Sequence, residues 1–151
     1  MKTVLFVCTG NTCRSPMAEA LLNEMLRQRG LEHKYSVASC GALAGKGERA
    51  SKNAIKVMAR RSIDLTTHRA KQISDDLLEA DLILTMTRGH EQYVLNLYPE
   101  THGRVFTLDE YIGGIGDDIS DPFGGDEEIY NRVAEEISSK LEILLDKLEN
   151  F

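Results

Sequence analysis

The chain has 151 residues, the length of one domain able to bury a core without disulfide or metal staples, so residues 1–151 are read as a single domain. Hydrophobic residues make up 42% and charged residues 28%, which excludes a disordered or collagen-like chain. A net charge of −6 gives no general pull toward nucleic acid or an anionic membrane, and no apolar run approaches the ~20 residues that span a bilayer.

Met1-Lys2-Thr3 leads into Val4-Leu5-Phe6-Val7, an apolar run of β-branched and aromatic residues that reads as a buried strand. That run is too short for a signal h-region and no small-residue cleavage site follows, so a cytoplasmic location is expected. The next segment, Cys8 to Arg14, is polar and contains Gly10 and Asn11, so it reads as a loop. Ser15-Pro16 reads as an N-cap followed by proline at the first helical position. Met17, Leu21, Leu22, Met25 and Leu26 then repeat at helical spacing, and Gly30 closes the helix.

Residues 35–39 form a second short strand, followed by a glycine-containing loop over 41–47 and a helix marked by Ala50, Ala54, Val57 and Met58. Residues 81–86 give a third strand, 91–97 a short helix and 104–108 a fourth strand. A long loop covers residues 109–125, with five glycines and Pro122. The last helix carries Ile129, Val133, Ile137, Leu141, Leu144 and Leu148 in an i+3/i+4 stripe. Strands alternating with helices predict an α/β fold with a parallel sheet and right-handed crossovers. An unbroken loop of that length is more often functional than structural.

Charge is unevenly placed. Residues 45–71 hold eight basic residues against two acids, and residues 109–128 hold eight acids with no Lys or Arg. Solvated helix and loop faces account for both; an acidic rim to a site that handles a cationic group is the other reading. The three cysteines, Cys8, Cys13 and Cys40, are an odd number, which argues against a disulfide framework. There is no Cys-x-x-Cys and no i, i+4 pair among His33, His68, His90 and His102, so no metal and no cofactor is expected.

The segment from Cys8 to Ser15 carries the chemistry. A strand, then Cys8, five residues, Arg14-Ser15 and a helix place Cys8 where strand ends meet helix starts, the ligand-binding edge of a parallel sheet. Backbone N–H groups of such a loop turn inward as a nest, with the helix start adding its positive end. Gly10 and Asn11 tolerate the positive φ a tight loop needs. Arg14 supplies a planar fork that matches phosphate bidentately. The result is a cup for a tetrahedral dianion with a thiol at its base, in surroundings that favour thiolate over thiol. Ser15 can donate to the sulfur. Taken alone, Cys8 also reads as a small buried hydrophobe at a strand end.

The run from Val7 to Ala20, Val-Cys-Thr-Gly-Asn-Thr-Cys-Arg-Ser-Pro-Met-Ala-Glu-Ala, resembles the signature of the low-molecular-weight protein-tyrosine-phosphatase family. The resemblance continues through Ser39-Cys40-Gly41, His68-Arg69-Ala70-Lys71-Gln72 and Asp121-Pro122-Phe123. It implies a three-layer fold with a four-stranded parallel sheet, order 2-1-3-4, and helices on both faces. It also implies a phosphocysteine intermediate on Cys8, with Arg14 binding the phosphate. Thr9, Gly10, Asn11, Thr12, Cys13, Ser15 and Phe123 would contact substrate, and Ser39 and His68 would support the loop with Asn11 and Ser15. Cys40 stands where the family often has alanine and is expected to be a buried structural thiol.

Phosphoryl transfer to a thiolate needs an acid for the leaving group and a base for the attacking water. The residues alone leave Asp109, Glu110, Asp117, Asp118 and Asp121 open, with Pro122 and Phe123 making Asp121 the most constrained. The resemblance selects Asp121. Cys13, five residues from Cys8 in one tight loop, suggests a reversible Cys8–Cys13 disulfide; a thiol packed behind the loop is the competing reading.

Thr12, where many relatives have Ile, and Gly124-Gly125 after Asp121-Pro122-Phe123 look like the bacterial protein-arginine-phosphatase branch. A hydrolase acting on phosphoarginine in phosphorylated proteins, as a monomer, is therefore expected. A tyrosine phosphatase of the same class is the alternative, and a non-catalytic phosphate-binding module is the alternative of a different kind. Arsenate reductases share the cup but look to need further cysteines, and residues 81–151 contain none.

Overall fold

The computed structural model describes residues 1–75 and 77–150; Asp76 and Phe151 of the expected 1–151 domain lie outside them. Its centre is β1 (Lys2–Cys8), whose side chains alternate between two apolar faces. Val4, Phe6 and Cys8 join one core cluster, and Leu5 and Val7 join the other. Because both faces are buried, the strand reads as a continuous apolar run rather than an alternating one. β2 (Tyr35–Gly41) and β3 (Leu82–Thr85) pair in parallel on either side of β1, and β4 (Val105–Thr107) pairs with β3. The sheet order is β2-β1-β3-β4, as expected.

Three helices cover one face: α1 (Arg14–Gln28), α2 (Lys52–Arg60) and α5 (Glu127–Glu149). The α5 stripe of Val133, Ile137, Leu141, Leu144 and Leu148 is buried there, whereas Ile129 at its start is exposed. The other face is closed by α3 (Arg88–Leu97) through Val94, and by Ile73 and Ala80.

Several boundaries differ from the sequence reading, each for a local reason. Ser15 is not the N-cap of α1. The first helical hydrogen bond runs from Met17 N–H to Cys13 O, Cys13 is the capping position, and the Ser15 hydroxyl is engaged by Cys8 and Asn11. Ser51 caps α2 by accepting from Ala54 N–H, which leaves Ala50 outside the helix. Thr87 caps α3, which therefore starts three residues earlier than the apolar pattern indicates. The 109–125 loop opens with one helical turn, α4 (Leu108–Tyr111), capped by Thr107. Among the described residues no helix is long and apolar enough to cross a membrane.

Candidate active site

The loop after β1 wraps around the Cys8 sulfur with its carbonyls turned outward. Cys8 O accepts from Ala42 N–H and Thr9 O from Leu43 N–H, both at 2.9 Å; Thr12 O accepts from Ser51 N–H at 2.9 Å. Asn11 O accepts from His68 Nε2 at 2.8 Å. In a planar trans peptide the N–H points opposite to the carbonyl, so the N–H groups that follow these carbonyls face the inside of the loop. Asn11 takes the left-handed conformation, φ 55°, that the turn requires. Gly10 does not take a positive φ, contrary to the sequence reading. A second glycine has the tighter constraint. A Cβ at Gly41 would lie 2.5 Å from Thr9 O and 3.0 Å from Asn11 N, so only glycine lets β2 approach the loop this closely.

Behind the loop, hydrogen bonds fix the sulfur's neighbour. Lys71 N–H donates to Asn11 Oδ1 at 2.9 Å, which orients the Asn11 amide. Its Nδ2 then donates to Ser15 Oγ and to Ser39 Oγ, both at 2.9 Å, and Ser39 donates onward to Glu19 Oε1 at 2.5 Å. With its oxygen accepting from Asn11, Ser15 has its own hydrogen to give, and Cys8 Sγ at 2.8 Å is the nearer acceptor, Cys40 O lying at 3.4 Å. Asn11, Ser15 and Ser39 are all buried.

In front lies a cavity of about 270 Å³. Cys8, Thr9, Gly10, Thr12, Cys13 and Arg14 line it from the loop, with Glu48, Asp121 and Phe123 opposite. The structure thus brings the expected nucleophile, arginine, acid and aromatic rim to one opening. Asn11 and Ser15, grouped above with the substrate contacts, turn their side chains behind the loop instead. Arg14 is buried: one terminal nitrogen donates to Ile119 O at 2.9 Å, the other stands 3.6 Å from Asp121 Oδ2, and Nε has no protein partner among the described residues. Its guanidinium is held by the backbone yet keeps donors for an oxyanion.

The two other thiols sit differently. Cys40 is fully buried, and desolvation, reinforced by the nearby Cys8, pushes it up to about 12, as a structural thiol requires. Cys13 Sγ lies 3.2 Å from Tyr130 OH and 3.5 Å from Ser51 Oγ. Burial, with the Cys13 hydrogen bond second, pushes the Tyr130 phenol up to about 12.

Sequence reasoning missed Glu19, Glu48, His90 and Tyr130. His90 Nε2 is 2.8 Å from Thr9 Oγ1, and burial followed by the Arg14 charge brings the ring down to about 4. Its partner is 81 residues away, so no local pattern could reveal it. Gly41, by contrast, was visible in the Ser39-Cys40-Gly41 motif.

Residues 3–150 match the family described as low molecular weight phosphotyrosine protein phosphatase. The chain belongs to that family. Among its relatives, the protein-arginine-phosphatase of Geobacillus stearothermophilus is 40% identical over 147 residues, covering 97% of this chain and 95% of the relative. The protein-arginine-phosphatase of Bacillus subtilis (strain 168) is 38% identical over 147 residues, covering 97% and 96%. A solved mutant of the YwlE arginine phosphatase, with a phosphorylated active-site serine, superposes with a TM-score of 0.93 at 37% identity, covering 97% of this chain and 95% of that one. In this phosphatase family member the cup, the arginine and the acid loop face one cavity.

Proposed function

We propose that this chain is a cysteine-dependent protein phosphatase that hydrolyses phosphoarginine in proteins. The observation that carries the reading is the shared cavity: the Cys8 sulfur at its base, Arg14 on its wall and the Asp121 carboxylate 3.6 Å from Arg14 at its mouth. The Cys8 thiolate attacks phosphorus and the P–N bond to the arginine side chain breaks, with Asp121 donating the proton to the departing nitrogen. Asp121 then takes a proton from water, whose oxygen attacks phosphorus. The P–S bond breaks, inorganic phosphate leaves and the thiolate returns. Inward N–H groups and Arg14 stabilise the charge on the transferring group throughout.

Phosphoarginine is favoured over phosphotyrosine by Thr12 on the cavity wall and by two carboxylates, Asp121 and Glu48, facing a cationic guanidinium. Two relatives named protein-arginine-phosphatase support the same choice. Tyrosine phosphatase activity is the second reading. It is favoured by Phe123, which is 78% exposed at the rim and offers one aromatic wall. A reversible Cys8–Cys13 disulfide belongs to the proposal: a peroxide takes two electrons from the two thiols and is reduced to water, and an external thiol reverses the bond. Both residues line the cavity, and the Cys13 sulfur must first leave Tyr130 and Ser51. Action as one domain over residues 1–151, a monomeric state and a cytoplasmic location belong to the proposal as well.

Rates on matched phosphoarginine and phosphotyrosine peptides test the substrate. Phosphoarginine is expected to be faster in the wild type. Thr12→Ile should depress that rate roughly 5- to 150-fold, the value of one buried polar contact, and leave or raise the phosphotyrosine rate. A wild type faster on phosphotyrosine would leave the second reading standing.

A further inference from the structure

We propose that His90 is a positioning residue for phosphoryl transfer: its imidazole aims the Thr9 hydroxyl as a hydrogen-bond donor at an oxygen of the phosphate group in the cup. The inference deepens, and rests on, the phosphatase reading.

His90 sits in the first turn of α3, at the same edge of the sheet as the cup, and is buried. Its ring bridges two hydroxyls, with Nδ1 2.9 Å from Thr87 Oγ1 and Nε2 2.8 Å from Thr9 Oγ1. Hydrogen-bond accounting assigns the direction. Thr87 Oγ1 caps α3 by accepting the His90 backbone N–H at 3.1 Å, and its own hydrogen still needs an acceptor. Donation to Nδ1 supplies one. Nε2 then carries the ring proton and donates to Thr9 Oγ1. The opposite tautomer would place both donors on Thr87 Oγ1 and turn its hydrogen away from the ring toward solvent, giving up the hydroxyl-to-imidazole bond.

A Thr9 oxygen that accepts from Nε2 must direct its hydrogen elsewhere. Thr9 is exposed and lines the cup cavity, so an oxygen of a phosphate bound there is the acceptor this inference assigns to that hydrogen. The ring also feels the charges of Arg14, Asp118 and Asp121, the arginine of the cup and two carboxylates of the acid loop. Burial keeps the ring neutral across the neutral pH range, so this tautomer persists where the enzyme would work. The benefit to catalysis is preorganisation: a freely rotating hydroxyl would have to be ordered as charge develops, whereas this one is aimed in advance.

The test compares His90→Gln, His90→Asn, Thr9→Ser, Thr9→Val and the double variant Thr9→Val/His90→Asn. Glutamine carries an N–H at the reach of Nε2; asparagine reaches only the Nδ1 position. Turnover of p-nitrophenyl phosphate and inhibition by orthovanadate are measured, with melting curves to check folding. His90→Gln and Thr9→Ser should stay within about threefold of wild-type kcat/KM. His90→Asn and Thr9→Val should each lose about tenfold or more, chiefly in kcat and in vanadate affinity, as loss of a donor to a charged group implies. The double variant should be little worse than either single one. Equal impairment of His90→Gln and His90→Asn, additive losses, or unchanged vanadate affinity in Thr9→Val would overturn the proposal. Thr9→Val lies on an exposed residue and reads the donor even if the His90 variants fold poorly. Calorimetric binding of inorganic phosphate separates this inference from the phosphatase reading. Weaker binding by Thr9→Val without any wild-type turnover would support the donor and count against the phosphatase.

Discussion

One oxygen, Ser15 Oγ, decides how the reactive sulfur is held, and its direction is set from 60 residues beyond Asn11 by the Lys71 backbone. A fixed donor to sulfur stabilises the thiolate both as nucleophile and as leaving group. Cys8→Ser is therefore expected to lose nearly all turnover while still binding vanadate, measured by rate and by titration; more than a few per cent of the wild-type rate would remove Cys8 from the nucleophile's role. Arg14→Lys should cost about 100-fold or more in kcat/KM, since a point charge cannot replace a buried fork tied to Ile119 O. For Asp121→Asn, losses should grow along a series of phosphate esters of rising leaving-group pKa, because activated aryl phosphates need less protonation. A flat series would make Asp121 structural. Cys8, Arg14 and Ser15 were legible because strand, loop and helix bring them together within eight residues of sequence. Asp121 needed the family resemblance to separate it from four other acids. Glu48 and His90 carried no readable signal, since each reaches the cup from a distant segment.

At the scale of elements, the acid loop is an anchored arm. Asp109 in α4 is buried; its Oδ2 accepts from Gly116 and Asp117 N–H at 2.9 Å and its Oδ1 from Lys140 Nζ of α5 at 2.6 Å. The Lys140 hydrogen bond, with those backbone donors, holds the Asp109 carboxyl below the usual carboxylate range. A second anchor comes from α3: Arg88 donates to Ile115 O and Gly116 O, and its N–H is taken by Asp118 Oδ1. Asp109→Ala strands a half-buried ammonium and two N–H groups. It should lower stability by about 2–4 kcal/mol in urea unfolding. It should also reduce kcat more than phosphate affinity, because Asp121 rides on this arm, whereas the cup meets the arm through Arg14 at Ile119 O and Asp121 and is otherwise held by β2 and the Asn11 network. The acidic run therefore divides by role: Asp109 and Asp118 fix the loop and Asp121 faces the cavity. Composition indicated a rim but could not sort it, since sorting requires the three-dimensional neighbours Lys140 and Arg88. Helix starts were misread for a related reason. Ser-Pro is a good capping pair, yet here the chemistry of the cup claims the serine hydroxyl.

For the whole molecule, burial on both faces of β1 and the α5 stripe made the layered architecture readable. The order β2-β1-β3-β4 came from resemblance rather than from pattern. The global consequence of placing His90 inside this framework is a pH dependence of stability. In the unfolded chain the ring titrates near 6.5; folded, it is brought down to about 4. The unfolded state therefore binds a proton first as pH falls, and stability is fully present above pH ~6.5 and declines toward pH ~4. With allowance for solvent screening close to the surface, the decline is on the order of 1–2 kcal/mol, and His90→Gln should flatten it in unfolding curves taken across that range. An unchanged slope would mean that the ring is not held neutral. The central claim is that the phosphoryl group passes from an arginine nitrogen to the Cys8 sulfur, and rapid-quench mass spectrometry tests it directly. The enzyme is mixed with excess phosphoarginine peptide, stopped in denaturant within the first turnovers and peptide-mapped. The account predicts one added phosphoryl group on the peptide containing Cys8, absent in Cys8→Ser; turnover with no such adduct, or with the adduct on another residue, would contradict it.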